Sequence, residues 1–173
     1  MAKSMIIKDI ANGTVDTTTA LKRAKILFAA LGNTELLNWV NYEISGYPTD
    51  VKLPDYRIER GELKGSYFKG SMAAHMKWND VSIPLGKMPE DVIEDFLGIP
   101  FYDGVNALKQ LVENSENGQL AKPIPADLFP FIAKYNNDPY MNIVSARVIV
   151  STHCVTNMFS VIENRLLDAL LLL

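Results

Sequence analysis

The chain has 173 residues, of which 48% are hydrophobic and 21% charged, and a net charge of −3. That mix excludes a disordered or fibrous chain, and the length fits one globular domain over residues 1–173 with a full core. The single cysteine, Cys154, excludes an internal disulfide framework and suits a reducing compartment, while the charge balance gives no support to generic nucleic-acid binding.

The first nine residues are too broken by charge for a secretory signal. Leu21, Ala24, Phe28 and Leu31 recur at helical spacing and predict one apolar stripe, with Gly32 placed to end the helix. Asn33 predicts the cap of a second helix whose Leu37, Val40 and Ile44 turn inward and which Gly46 stops. Over 56–68 and 72–83 the period becomes two. Met72, Ala74, Met76 and Trp78 alternate with polar or small residues and predict a half-buried strand, with Lys69 and Gly70 as the turn before it.

Beyond Pro84 three short helices are expected. One opens with Pro89 at its first position, ahead of Glu90 and Asp91. One spans 103–113 with Val105, Leu108 and Leu111 or Val112 inward, and one spans 126–135. The β-branched run 143–150 predicts a strand. Ser151 is then placed to cap a final helix with Val155, Phe159, Ile162, Leu166 and Leu170 on one face. All nine prolines lie between Pro48 and Pro139, so both chain ends stay helical and the middle is turn-rich. The fold class is α+β: helical N-terminal and C-terminal segments packed around a small antiparallel sheet. The apolar stretch 166–173, interrupted by Asp168, is too short for a bilayer that needs about 20 residues. It is a helical pattern without a polar tail, and the chain is expected to be the amino-terminal part of a longer protein.

Pro54-Asp55 followed by Glu62-Leu63-Lys64 echoes metal-dependent nucleases, in which two carboxylates hold Mg²⁺ and a lysine stabilises charge on the attacked phosphate. In one straight strand Asp55 and Glu62 would stand about 23 Å apart on opposite faces, so only a sharp reversal near Gly61 unites them. Surface charges on a strand are the simpler account. The run from Gly65 to Ser71 has the glycine spacing of a phosphate loop but Ser71 where the lysine belongs, and a strand follows it rather than a helix. His153 and Cys154 are neighbours on a helix, about 100° apart, and cannot act as base and nucleophile. With His75 they give no zinc-ligand spacing. Tyr56, Arg57, Arg60, Lys64, Tyr67, Phe68, Lys69, Lys77 and Trp78 interleave bases with aromatics, a pattern that can track a phosphate backbone. Acids intervene, leaving residues 47–87 at only +2. The acidic run 90–95 reads as the outer face of a short helix. No catalytic, cofactor or metal residue is assigned.

Trp39-Val40-Asn41-Tyr42-Glu43-Ile44-Ser45-Gly46-Tyr47-Pro48, then Leu53-Pro54-Asp55-Tyr56-Arg57 and Gly61-Glu62-Leu63-Lys64-Gly65, resemble the AbiTii domain, a bacterial family named for phage abortive infection. The likeness continues through Ile83-Pro84-Leu85, Ile124-Pro125-Ala126-Asp127-Leu128 and Val144-Ser145-Ala146 to Ile162-Glu163-Asn164-Arg165-Leu166-Leu167-Asp168. The resemblance implies a cytoplasmic defence role and supplies no active-site residues. The expected function is a non-enzymatic interaction, sensing or oligomerisation module. Its expected partners are an effector region beyond Leu173 or a second copy, docking through an apolar stripe of the last helix. Tyr47, Tyr56, Arg57 and Arg60 are the candidate partner contacts, since aromatic and arginine side chains dominate binding energy. The alternative is a small metal-dependent nuclease or nucleic-acid-binding domain built on Asp55, Glu62 and Lys64.

Overall fold

The computed structural model describes residues 2–71 and 73–173. In chain order the elements are α1 (Ala2–Ala11), α2 (Thr17–Ala30), α3 (Thr34–Ser45), a 3-10 turn (Asp55–Arg57), β1 (Ile58–Arg60), β2 (Glu62–Ser71) and β3 (Ala74–Ser82). There follow α4 (Glu90–Leu97), β4 (Gly98–Pro100), α5 (Val105–Glu113), β5 (Gln119–Pro123), a 3-10 turn (Ala126–Leu128), α6 (Phe129–Tyr135), β6 (Met141–Ser151) and α7 (His153–Leu172). The class is α+β, and the chain forms two compact units. The first joins the segment ending at Arg57 to Phe101–Ser115 and Thr152–Leu173; the second joins Ile58–Pro100 to Glu116–Ser151.

The first unit is helical. Asp16 caps α2 by accepting from the Thr19 N–H at 3.0 Å, and Asn33 caps α3 by accepting from the Leu36 N–H at 3.1 Å. Gly32 takes φ +68° just past α2, the conformation that ends a helix at little cost to glycine. Leu21, Ala24 and Phe28 are buried as the spacing predicts, but Leu31 at the C-cap is exposed, so the stripe ends one turn early. In α7, Val155, Met158, Ile162, Leu166 and Leu170 are buried and Phe159 is half-buried. Ile162, Leu166 and Leu170 join Ile6, Ile10, Trp39, Val40 and Val105 in one core, with Phe159 packed against it. Each fully buried leucine or phenylalanine there contributes roughly 1.5–3 kcal/mol. The apolar stripe of the last helix is therefore turned onto the unit's own core. Thr152, not Ser151, precedes α7, because β6 runs on through Ser151.

The second unit holds an antiparallel sheet in the order β3-β2-β6-β5 and a two-stranded pair, β1-β4. Along β2, Leu63, Gly65 and Tyr67 are buried while Glu62, Lys64 and Ser66 are not. Leu63 and Tyr67 face Val148 and Ile143 of β6, against which α6 packs with Ile132 fully buried.

The strand expected over 56–68 is interrupted. Residues 55–57 form a 3-10 turn, and the Gly61 N–H, between β1 and β2, donates to the Leu97 carbonyl at 3.0 Å. The hairpin turn falls beyond Lys69-Gly70. Those two pair with Met76 and His75, and the chain reverses between Ser71 and Ala74. Met72, the first member of the expected alternation, lies outside the described residues. The alternation does not make β3 half-buried. Ala74 to Lys77 are all exposed, and only Trp78, stacked on Tyr67 at 5.0 Å, and Val81 are partly covered. A period of two reports that side chains alternate, not that a layer covers one face, and β3 is an edge strand.

Smaller differences follow from burial and caps. Pro89 is the N-cap of α4 rather than its first residue, and on α5 Val105 and Leu108 are buried, Val112 half-buried and Leu111 exposed. The strands β1 and β4, of three residues each, are too short to show an alternation, whereas β5 alternates, with Leu120 buried and Lys122 half-buried between exposed residues. Among the described residues no helix is long and apolar enough to cross a membrane.

Candidate functional site: a carboxylate beneath the 46–57 loop

An acid sits on the apolar stripe of α3. Glu43 follows Trp39 by four positions and Val40 by three, so it shares their inward face, and it is fully buried. A buried carboxylate is tolerated only when paired and hydrogen-bonded, and three side chains converge on this one. The Tyr47 hydroxyl donates to Oε1 at 2.6 Å, and the Tyr56 hydroxyl donates to the same oxygen. Arg57, also fully buried, pairs with Oε2 through Nη2. Its Nη1 donates to the carbonyls of Asp103 at 2.7 Å and Phe101 at 3.4 Å, while Nε has no hydrogen-bond partner among the described residues. Trp39 Nε1 donates to the Tyr56 oxygen at 3.0 Å, and the Arg165 guanidinium of α7 lies 4.9 Å from the centre of the Trp39 ring. Burial, reinforced by the Glu43 carboxylate, pushes both the Tyr47 and Tyr56 hydroxyls up from the usual tyrosine range.

The same contacts fix a loop. Gly46 ends α3 at φ +98°, and a Cβ there would lie 2.9 Å from the Tyr102 carbonyl; a Cβ on Gly104 would lie 2.2 Å from the Ile44 carbonyl. The two backbones pass at a separation that only glycine permits. The Tyr47 N–H donates to the Tyr102 carbonyl at 2.7 Å, and the Val51 N–H closes a turn onto Pro48 at 3.1 Å. Leu53 is buried, and the Arg57 N–H closes the 3-10 turn onto Pro54 at 2.9 Å. Tyr47 at one end and Tyr56 with Arg57 at the other thus bind one carboxylate, while Pro48, Thr49, Asp50, Lys52 and Asp55 stay exposed. Chemically the arrangement is a clamp: the fully buried Glu43 and Arg57, with Tyr47 buried and Tyr56 half-buried against them, fix the two ends of a polar loop.

Of the four candidate contacts, Tyr47 and Arg57 are inside the first unit and Tyr56 is half-buried. Arg60 lies in β1 of the second unit, exposed, with Nη1 2.9 Å from Glu90. Asp55 is exposed in the first unit, whereas Glu62 and Lys64 belong to β2 of the second, where Glu62 accepts from the Ser82 hydroxyl. Among the described residues no group of three or more His, Cys, Asp or Glu is arranged to hold a metal. His153 is exposed and Cys154 half-buried at the start of α7, and His75 is exposed on β3 beside Phe68.

The basic and aromatic set is divided. Tyr56 and Arg57 enter the clamp, Tyr67 stacks on Trp78, and Lys69 pairs with Asp138 at 3.0 Å. Phe68 and Lys77, opposite one another, lie on the other face of the sheet from Tyr67. The run from Glu90 to Asp95 lies in α4, with its four acids exposed. Sequence reasoning missed Glu43 as the centre of the site, together with Trp39 and Arg165. The available signal was an acid at a stripe position, four residues before a tyrosine.

The AbiTii family model matches residues 4–173, nearly the whole chain. No curated protein and no solved structure matches it.

Proposed function

Because the chain belongs to the AbiTii family, whose name denotes abortive infection, we propose that it serves bacterial anti-phage defence in the cytoplasm as a non-enzymatic interaction module. The reading is carried by the 46–57 loop. A loop presented by a rigid scaffold is where recognition usually resides, and fixing it before encounter lowers the entropy cost of binding. The buried clamp supplies that rigidity here, and Thr49, Asp50 and Lys52 supply the polar tip. Tyr47, Tyr56 and Arg57 then act by positioning the loop, and its partner is the effector region or a second copy.

The test is a plaque assay in a bacterium carrying the complete defence system. The double substitution Asp50→Lys, Lys52→Glu alters only exposed side chains and should leave the melting temperature within about 2 °C of wild type, since surface changes rarely exceed ±0.5 kcal/mol. Protection should fall by at least about tenfold, the effect of losing roughly 1.4 kcal/mol of binding. Undiminished protection would overturn the reading.

A further inference from the structure

A second surface, on α1 and α2, has its own chemistry. Met5 and Ile6 of α1 and Arg23, Ile26, Leu27 and Ala30 of α2 line a groove of about 400 Å³. Ile6 belongs to the core and forms the floor, whereas Met5 is 58% and Ile26 73% exposed. Arg23 alone contributes charge to the lining, and it lies 2.7 Å from Asp9. Around this apolar groove the charge is one-sided. The first 30 residues hold five basic and two acidic side chains, in a protein whose net charge is −3. Of the two acids, Asp9 is engaged by Arg23 and Asp16 caps α2. Lys8, three residues after Met5, and Lys22, four before Ile26, are both exposed and flank the apolar residues on their respective helices.

We propose that the α1–α2 groove receives an acidic amphipathic helix of another protein. Its apolar face would fill the groove between two helices, as in helix-in-groove recognition, and its carboxylates would meet Lys8 and Lys22. A second copy is disfavoured as the occupant because a two-fold pairing of this surface sets basic helices opposite each other.

The experiment is fluorescence anisotropy on the full chain with two labelled synthetic peptides. Both carry leucines at i, i+3 and i+7; one has glutamate and the other lysine at the remaining positions. The glutamate peptide should bind, more weakly as salt rises, and the lysine peptide should not. The substitution Ile26→Glu, at an exposed site that leaves folding intact, should weaken binding at least about tenfold, whereas Lys134→Glu in the second unit should not change it. Absence of binding, or equal binding of both peptides, overturns the proposal. So does dimerisation in sedimentation that Ile26→Glu abolishes, or co-sedimentation with phosphatidylglycerol vesicles in place of peptide binding.

Discussion

At the scale of single residues, the buried Glu43–Arg57 pair is the feature most exposed to substitution. Such a pair can be no more stabilising than a well-packed apolar replacement, yet removing one partner strands the other charge in the interior. Glu43→Gln should therefore cost about 3–5 kcal/mol in urea unfolding. The Glu43→Gln, Arg57→Met pair should cost less than the sum of the two single changes. The tyrosines add a pH signature. Their hydroxyls are raised in the fold above an ordinary value near 10, so the protonated form is the one the fold favours. The stability this contributes is complete below about pH 10 and is lost as pH rises through the raised values. Unfolding followed between pH 8 and 11 should show that alkaline loss, and Tyr47→Phe should reduce it.

At the scale of elements, helices are held by their ends as well as their faces. Asp16 accepts from both the N–H and the hydroxyl of Thr19, and the N–H bond, foremost, lowers its carboxyl from the usual range. Asp16→Ala should cost about 1 kcal/mol, read as a lowered thermal midpoint. The sign with pH is opposite to that of the tyrosines. A lowered carboxyl contributes stability above its unfolded value near 4, lost as pH falls through the lowered one, and Asp16→Ala should flatten that acid limb. The helices α2, α3, α5 and α7 were legible in the sequence because their spacing and, for α2 and α3, their end residues agree. The strands were less so. The sequence shows the alternation in β3 but not that its outer residues lack cover, and a three-residue strand such as β1 leaves no periodicity to read.

At the scale of the whole molecule, the sequence by itself determined the α+β class, most helices, the caps at Asn33 and Gly46 and the family, whose motifs run the length of the chain. These are local properties: a periodicity, a cap or a run of residues is present within a few neighbours and survives without knowledge of the rest. Tertiary structure decided the partition into two units that each draw on separated segments, and the sharing of one core by Ile6, Phe28, Val105 and Leu166. It also decided that Arg57 is an interior cation held by Glu43 while Arg60, three residues on, is exposed beside Glu90. A side chain's charge and size are written in the chain, but whether it meets water or a buried carboxylate depends on residues brought together from distant positions. That is why the loop motif could be read directly, and the clamp beneath it only in three dimensions.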